Sequence, residues 1–283
     1  MSAFAPLDRR MFFLGCASVV AVSCAARGDV ARLSLSGSLE QGSLVIGRTE
    51  TGAKVMAGDK AALVSPEGIF AFGFDFDQTA PTRLDVRFAD GSSDTRDVVP
   101  VKRQYEVQVI NGLPERFVTP SPEELERIKR ENAMIVEARK RVTAGIDFAS
   151  GLDWPLPGIV SGVFGSQRIL NGKPMAPHLG VDIAAPQGTP IHAPADALVS
   201  ISDDYFLDGG FTLLDHGHGV STCYLHQSKR MVAPGDAVKR GQVIGLVGMT
   251  GRATGPHTHW GMNWFQMKLD PSRSTKTPAP AKS

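Results

Sequence analysis

Residues 251–260 read Gly251-Arg-Ala-Thr-Gly-Pro-His-Thr-His-Trp260. Two histidines, His257 and His259, lie two positions apart directly after a Gly-Pro break. Because side chains alternate between the two faces of a β-strand, both imidazoles would point to one face, about 6 to 7 Å apart along the backbone. This spacing suits two ligands of one metal ion, or one ligand beside one acid/base group. His-x-His pairs also occur by chance, so the interpretation depends on partners elsewhere in the chain.

The other histidines supply such partners. The chain has seven histidines, and all lie between His178 and His259. Histidine is the commonest metal ligand in proteins, which makes this confinement informative. His178 and Asp182 stand four positions apart, about 13 Å if the backbone were fully extended. Pro177 and Gly180 allow a bend that brings the two side chains closer.

His178, Asp182 and one imidazole of the His257/His259 pair together offer two nitrogens and one carboxylate. Three protein ligands with a fourth position left open are typical of catalytic zinc sites rather than structural ones. The alternative is a simple hydrogen bond between His178 and Asp182 beside a turn. If these two residues stood alone, this alternative would be favoured. With the His-x-His pair present, the residues favour a metal site.

His226 ends an apparent strand, Tyr224-Leu-His226, and Cys223 falls on the opposite face of that strand. The period of two therefore disfavours a Cys223–His226 nucleophilic pair and leaves His226 as a candidate for proton transfer. Cys223 is the only cysteine outside the N-terminal segment, so the mature fold has no internal disulfide. We expect Cys223 to be a small buried side chain on a strand.

Residues 154–270 resemble the lysostaphin/LytM-type zinc endopeptidases of bacterial cell walls. The resemblance is carried by Gly162-Val-Phe-Gly165, His178-Leu-Gly-Val-Asp182-Ile-Ala-Ala-Pro-Gln-Gly-Thr-Pro-Ile-His-Ala-Pro-Ala195, Tyr224-Leu-His226, Gly235-Asp-Ala-Val-Lys-Arg-Gly241, and Gly248-Met-Thr-Gly251 through His259. It departs slightly at Trp260, where many members have Phe, and at His192, where Tyr is frequent.

The resemblance implies a role for each site residue. It makes His178, Asp182 and His259 the ligands of Zn²⁺, and His226 and His257 the acid/base and transition-state residues. Spacing alone does not distinguish His257 from His259, so that assignment depends on the resemblance. The implied function is a zinc metalloendopeptidase, a hydrolase acting on stem or crossbridge peptide bonds of cell-wall peptidoglycan. We expect the remaining histidines to be structural or surface groups: His192, His216 and His218.

Two other functions fit parts of the chain. A catalytically inactive LytM-like module could activate a separate wall amidase, although such modules typically lack several of the residues that this chain keeps. A wall- or glycan-binding protein without chemistry fits the N-terminal half better than the C-terminal half. The formal net charge of +1 gives no general electrostatic reason to expect nucleic acid as a partner.

Residues 1–26 have the features of a signal peptide. Leu7-Asp-Arg-Arg10 is followed by a short apolar run and then by small residues that offer cleavage sites. The sequence leaves open a twin-arginine or a general secretory route, lipidation at Cys24, and retention of the segment as a membrane anchor. We expect an exported protein of the periplasm or cell envelope.

At 283 residues the chain has room for about two domains. Short apolar runs separated by turns predict a mainly β fold. We predict a small β-sandwich accessory domain over residues 31–117, a connector helix over residues 121–145, and a LytM-type peptidase domain with an antiparallel, barrel-like β-sheet over residues 150–271. The polar, proline-bearing residues 272–283 predict a disordered tail.

Overall fold

The N-terminal half of the protein consists of short β-strands, as predicted. The structure, a computed structural model, describes residues 32–280. The strands of this half are β1 (Leu33–Ser36), β2 (Leu44–Thr49), β3 (Lys54–Ala57), β4 (Lys60–Ala62), β5 (Ile69–Gly73), β6 (Thr82–Arg87), β7 (Ser93–Val98) and β8 (Val107–Ile110).

Seven of these strands form two antiparallel sheets, with the orders β1-β2-β5 and β4-β3-β6-β7. The alternation of Leu84 and Val86 in β6 predicts which face is buried, and both side chains are buried. The apolar pattern does not reveal β7, whose sequence Ser-Asp-Thr-Arg-Asp-Val is mostly exposed. A strand that faces solvent on both sides carries no hydrophobic period to detect.

The connector helix α1 (Pro122–Ala138) begins where the sequence indicates and ends earlier. Ser121 caps it in a reciprocal capping box with Glu124. The predicted end at Gly145 is wrong, because the following segment bonds to another part of the chain. The carbonyl of Thr143 accepts a hydrogen bond from the backbone N–H of His218, at 2.9 Å. Tertiary hydrogen bonds thus replace the last helical turns.

The C-terminal half contains the larger part of the β-structure. Its strands are β9 (Ile159–Gly162), β10 (Gln167–Leu170), β11 (Lys173–Pro174), β12 (Val181–Ala184), β13 (Pro190–His192), β14 (Ala197–Tyr205), β15 (Gly209–Gly217), β16 (Val220–Gln227), β17 (Lys229–Arg230), β18 (Ala237–Val238), β19 (Val243–Leu246), β20 (His257–Trp264) and β21 (Met267–Leu269).

Eight of these strands form one antiparallel sheet. Its order is β18-β14-β15-β16-β20-β12-β9, and β21 pairs with β20. A smaller antiparallel sheet has the order β13-β19-β17. The strands β12, β16 and β20 are neighbours in the large sheet, and they contain or adjoin every candidate site residue. The predicted antiparallel sheet of this half is therefore confirmed.

The two halves share one hydrophobic core, which contains buried side chains from both. A Cβ atom added at Gly73 of β5 would lie 2.8 Å from the side chain of Leu269 in β21, so the strands approach closely. The backbone N–H of Lys268 donates to the Asp75 carboxylate at 2.9 Å. The boundaries of an independent accessory domain therefore stay a prediction.

Strand β8 lies outside the two N-terminal sheets, although the predicted accessory domain included it. It pairs in parallel with β10, with Val107 opposite Gln167 and Ile110 opposite Leu170, and β11 lies on the other side of β10. The alternation of apolar residues in β8 does not identify the strand with which β8 pairs, because that pairing depends on where the chain enters the C-terminal half. As a result, β8 forms a wall of the cleft that is also lined by Asp182 and His257.

The predicted disorder of residues 272–283 is wrong for the part up to Thr277. Pro271–Ser274 form a short 3-10 helix. Leu152 then donates its N–H to the carbonyl of Ser274 at 2.7 Å and accepts from Lys276 at 2.9 Å. The indole of Trp154 donates to the carbonyl of Thr277 at 3.2 Å. Backbone pairing orders this segment despite its polar composition.

The predicted signal peptide, residues 1–26, lies outside the described residues. Among residues 32–280, no helix is long and apolar enough to cross a membrane.

A chain of buried polar groups links the start of β14 to β15 and β16 in the large sheet. His216 is bonded through Nδ1 to the carbonyl of Asp196 at 3.0 Å and through Nε2 to the hydroxyl of Thr222 at 2.8 Å. The Thr222 hydroxyl is 3.0 Å from that of Tyr224. A neutral imidazole satisfies both contacts by donating from Nδ1 and accepting at Nε2. His216 is therefore structural, as expected.

This network predicts that stability depends on pH through His216. Burial lowers the pKa of His216 to about 4. Because the unfolded state binds the proton more readily, the stabilisation present above pH 6.5 is lost as pH falls towards 4. Between pH 7 and pH 5 this group should lower the free energy of unfolding by about 2 kcal/mol.

Urea unfolding of the wild type and of His216→Gln at pH 7 and pH 5 measures this contribution. The variant should show a smaller loss between the two pH values, whatever its stability at pH 7. His192→Gln, at a partly buried histidine bonded to the carbonyl of Pro155, is the matched control. Equal losses in the wild type and His216→Gln would contradict the assignment.

Candidate metal centre and cleft

The pairing of β12 with β20 brings the first site residues together. In this antiparallel register Asp182 lies directly opposite His259, and Ala184 lies opposite His257. Residues directly opposite on one face have Cβ atoms about 4.5 to 5.5 Å apart, so their side chains can reach one ion. Asp182 Oδ1 is 3.0 Å from His259 Nδ1.

His178 completes a three-residue cluster from the turn before β12. Its Nε2 is 2.9 Å from Asp182 Oδ1 and 2.8 Å from His259 Nδ1. Its backbone is fixed against Ser166 and Gly165, through hydrogen bonds of 2.8 and 2.6 Å. The bend that the sequence allows is therefore present. His178, Asp182 and His259 form a group that could hold a metal ion.

Glycines beside the cluster give these side chains their space. A Cβ atom at Gly180 would lie 2.4 Å from the imidazole of His259. A Cβ atom at Gly162, on the neighbouring strand β9, would lie 2.6 Å from Asp182 Oδ2. Both contacts are closer than carbon atoms tolerate, so any other residue would displace a side chain of the cluster.

The hydrogen bonds of His178 and the charge of Asp182 prepare the cluster for a cation. His178 Nδ1 is 3.1 Å from the carbonyl of Val163, which places the proton on Nδ1 and leaves the Nε2 lone pair facing Asp182 and His259. Burial lowers the pKa of His259 to about 4. Burial alone would raise the pKa of Asp182, but His178 and His259 hold it well below its usual value. At neutral pH the cluster thus presents a carboxylate and neutral imidazole.

His226 and His257 lie together beside the cluster, with ring centroids 4.7 Å apart. Each Nδ1 is 2.8 Å from a backbone carbonyl, that of Thr250 for His226 and that of Gly255 for His257. A proton on each Nδ1 leaves each Nε2 as the basic nitrogen. His257 Nε2 is 3.8 Å from Asp182 Oδ1, so this nitrogen lies near the candidate metal ligands.

His226 is held in an unusual backbone conformation. Its φ angle of +65° lies in the left-handed region, which is uncommon for residues with a side chain. The backbone N–H donates to the carbonyl of Asp208 at 2.7 Å and so fixes this turn at the end of β16. Burial, followed by the neighbouring His257 and His259, lowers the pKa of His226 to about 3. His226 is therefore a neutral imidazole before it takes part in any reaction.

Cys223 does not belong to the site. It is buried on β16, its pKa is raised by burial, and its Sγ is 3.9 Å from the guanidinium of Arg139. This placement agrees with the prediction of a structural thiol. His192 and His218 also lie outside the cluster, His218 being buried against Phe148.

Two clefts meet at the cluster, with volumes of about 300 and 220 Å³. The first is lined by Asp182 and His257, together with Gln108 and Ile110 of β8. The second is lined by His178, His226 and His259. The candidate ligands and the candidate acid/base residues therefore face open space on both sides.

Sequence reasoning missed two arginines that line both clefts, Arg168 and Arg252. Arg168 on β10 forms an ion pair with Asp182 Oδ2, the oxygen that faces away from the imidazoles. No local pattern marks Arg168, because only the fold brings β10 to the cluster. Arg252 lies within residues 251–260. Its closeness in sequence to His257 was the signal that could have identified it as a site residue.

Comparisons with known proteins agree with this geometry. Residues 176–271 match the sequence model of Peptidase family M23. The peptidoglycan DD-endopeptidase ShyA of Vibrio cholerae is 46% identical over 88 residues, which are 31% of this chain and 20% of that protein. The DD-carboxypeptidase/endopeptidase Mpg of Neisseria meningitidis is 46% identical over 83 residues, 29% of this chain and 19% of that protein. The chain thus spans about a fifth of the length of these curated relatives.

A likeness over most of the chain comes from a solved structure. A crystal structure from Pseudomonas aeruginosa, described as a peptidase M23, is 32% identical with a TM-score of 0.67. The match covers 83% of this chain and 94% of that one. A coverage of this size extends well beyond residues 176–271. The lysostaphin/LytM resemblance is confirmed, and the chain belongs to peptidase family M23.

Proposed function

We propose that the protein is a zinc-dependent metalloendopeptidase that hydrolyses stem or crossbridge peptide bonds of cell-wall peptidoglycan. The observation that carries the proposal is the cluster of His178, Asp182 and His259 at the junction of two clefts, with His226 and His257 beside it. The names of the M23 relatives support peptidoglycan as the substrate.

The residues present fit zinc. His178 Nε2, Asp182 Oδ1 and His259 Nδ1 lie within 4.8 Å of one another, and two nitrogens with one carboxylate form a ligand set of catalytic zinc sites. Asp182 Oδ2 is held by Arg168, which leaves Oδ1 directed at the imidazoles. When bound there, zinc would act as a Lewis acid that polarises a carbonyl group and lowers the pKa of water.

We assign proton transfer to His226 and His257. Each has Nδ1 bonded to a carbonyl, so each Nε2 can accept a proton from the attacking water or return one to the leaving amine. An imidazole that has gained a proton can also stabilise the developing oxyanion. The chain has no His-Glu-x-x-His motif. In peptidases with that motif the Glu acts as general base, and here the imidazoles of His226 and His257 take that role.

We also propose that the protein is exported to the periplasm or cell envelope. Two things support this: the charged and then apolar pattern of residues 7–26, and a substrate that lies outside the cytoplasmic membrane.

The separation of roles predicts different defects for two neighbouring histidines. His259→Ala removes a ligand and should lose zinc. His257→Ala should retain zinc and lose about a hundred- to ten-thousand-fold in turnover, because it removes an acid/base group. Metal content after dialysis and peptide cleavage by the same preparations measure the two effects. His192→Gln, outside the cluster, should retain both.

Two variants that both keep a full complement of zinc would contradict the ligand assignment. Loss of zinc from His257→Ala would place His257 among the ligands instead.

The purified protein should release soluble muropeptides from isolated sacculi. Mass spectrometry of the products should show new peptide termini and thereby identify the bond that is cleaved. Chelation should abolish release, and added zinc should restore it. Binding to sacculi without any release would contradict the proposal and support the alternative of a module that activates a separate amidase.

A further inference from the structure

We propose that Arg252 binds a carboxylate of the peptide substrate next to the scissile bond. This inference rests on the proposed peptidase function and specifies the substrate further. It concerns a cleft residue that belongs neither to the candidate metal ligands nor to the candidate acid/base pair. The features that carry it are the position, the burial and the missing partner of this guanidinium.

The loop that carries Arg252 is built against the β14–β15 turn. The backbone N–H of Arg252 donates to the carbonyl of Leu207 at 2.8 Å. Gly251, with a φ angle of +67°, permits this approach, since an added Cβ would lie 2.5 Å from the backbone of Leu207 and Gly209. Arg252 is therefore held in place at its backbone, although it lies in a loop.

The guanidinium of Arg252 has no partner in the part of the chain that the structure describes. Within residues 32–280 it makes no hydrogen bond and no ion pair, although the residue is partly buried and burial lowers its pKa. Burying a charge is costly unless the charge is paired. The side chain lines both clefts, so a ligand there can supply the missing partner.

A second arginine makes the two clefts more favourable for binding an anion. Arg168 lines the same two clefts and is close enough to Arg252 to lower its pKa. Arg168 is paired with Asp182, but its Nε is buried without a partner in the described part of the chain. Two neighbouring guanidiniums repel each other, and an anion bound by Arg252 would relieve that repulsion.

Asp208 is the carboxyl group that acts on the pKa of Arg252. It does not serve as a bonding partner for the Arg252 guanidinium. Arg252 acts on the pKa of Asp208 from a distance, opposing a rise to about 6 that is caused by burial. No ion pair joins the two side chains among the described residues. If Arg252 served only to keep Asp208 ionised, its removal would affect all substrates alike.

The chemistry favours a carboxylate as the ligand. A guanidinium presents two parallel N–H groups that match the two oxygens of a carboxylate. Peptidoglycan peptides carry free carboxylates in addition to their amide bonds. Because Arg252 lines the same cleft as His257 and Asp182, the bound carboxylate would lie close to the bond that is cleaved.

The test uses pairs of synthetic cross-linked peptides. The two peptides of a pair differ only at one carboxyl group, which is the free acid in one and the carboxamide in the other. A separate pair is made for each carboxyl group. For one of these positions the wild type should cleave the acid with a kcat/KM about 10- to 100-fold higher than the amide. Arg252→Gln should cleave the two peptides about equally, and Arg252→Lys should retain part of the preference.

Two controls separate binding from structure and from catalysis. Arg96→Gln makes the same change of charge at an exposed residue of β7 and should retain the preference in full. In a His257→Ala background, whose turnover should be about a hundred- to ten-thousand-fold lower, calorimetry should show tighter binding of the acid than of the amide, and Arg252→Gln should remove this difference. Zinc content and thermal unfolding of each variant show whether it is folded and loaded.

The possible outcomes are distinguishable. Equal cleavage of acid and amide by the wild type at every position would overturn the inference and leave the peptidase function intact. A preference that survives in folded Arg252→Gln would also overturn it. Cleavage of neither peptide by the zinc-loaded wild type would overturn the proposed function itself. If Arg252→Gln does not fold, the wild-type preference and Arg252→Lys decide.

Discussion

The register between β12 and β20 is the constraint on which the site depends. It places Asp182 opposite His259 on one face of the sheet. Because side chains alternate with a period of two, a slip by one residue would turn these groups to opposite faces. The same strand, β20, pairs with β16 on its other side, which places the end of β16 and its His226 beside the cluster. A single strand thus relates the candidate metal ligands to the candidate acid/base residues.

The electrostatics of the site follow from how Asp182 uses its two oxygens. Oδ1 faces His178 and His259, while Oδ2 is paired with Arg168. The arginine therefore orients the carboxylate without occupying the face directed at the imidazoles. Burial keeps the imidazoles of His226 and His259 neutral, which suits nitrogen atoms that must offer a lone pair. Asp182 and Arg168 are thus paired with each other, whereas Arg252 has no partner among the described residues.

The N-terminal half contributes to the cleft as well as to the core. Strand β8 pairs in parallel with β10, which carries Arg168, and the side chains of Gln108 and Ile110 line the larger cleft. The N-terminal sheets pack against β20 and β21 through a continuous core. Any change in how β8 pairs would move both the cleft wall and the arginine that holds Asp182. Residues of both halves therefore line this cleft.

The amino-acid sequence by itself determined the mainly β fold, the start of the helix and the candidate residues of the site. These are local signals: strand periodicity, the Ser121 capping box, and the spacing of His178, Asp182, His257 and His259 within short motifs. The resemblance to a family then separated His257 from His259, which spacing could not do.

Only the tertiary structure decided the features that depend on distant segments. These are the pairing of β8 with β10, the early end of the helix at Ala138, the ordered segment up to Thr277, and the convergence of Arg168 and Arg252 on the clefts. In each case hydrogen bonds or charges between residues far apart in the chain outweigh local preference. A sequence pattern records which face of a strand is buried, but it does not record which strand lies beside it.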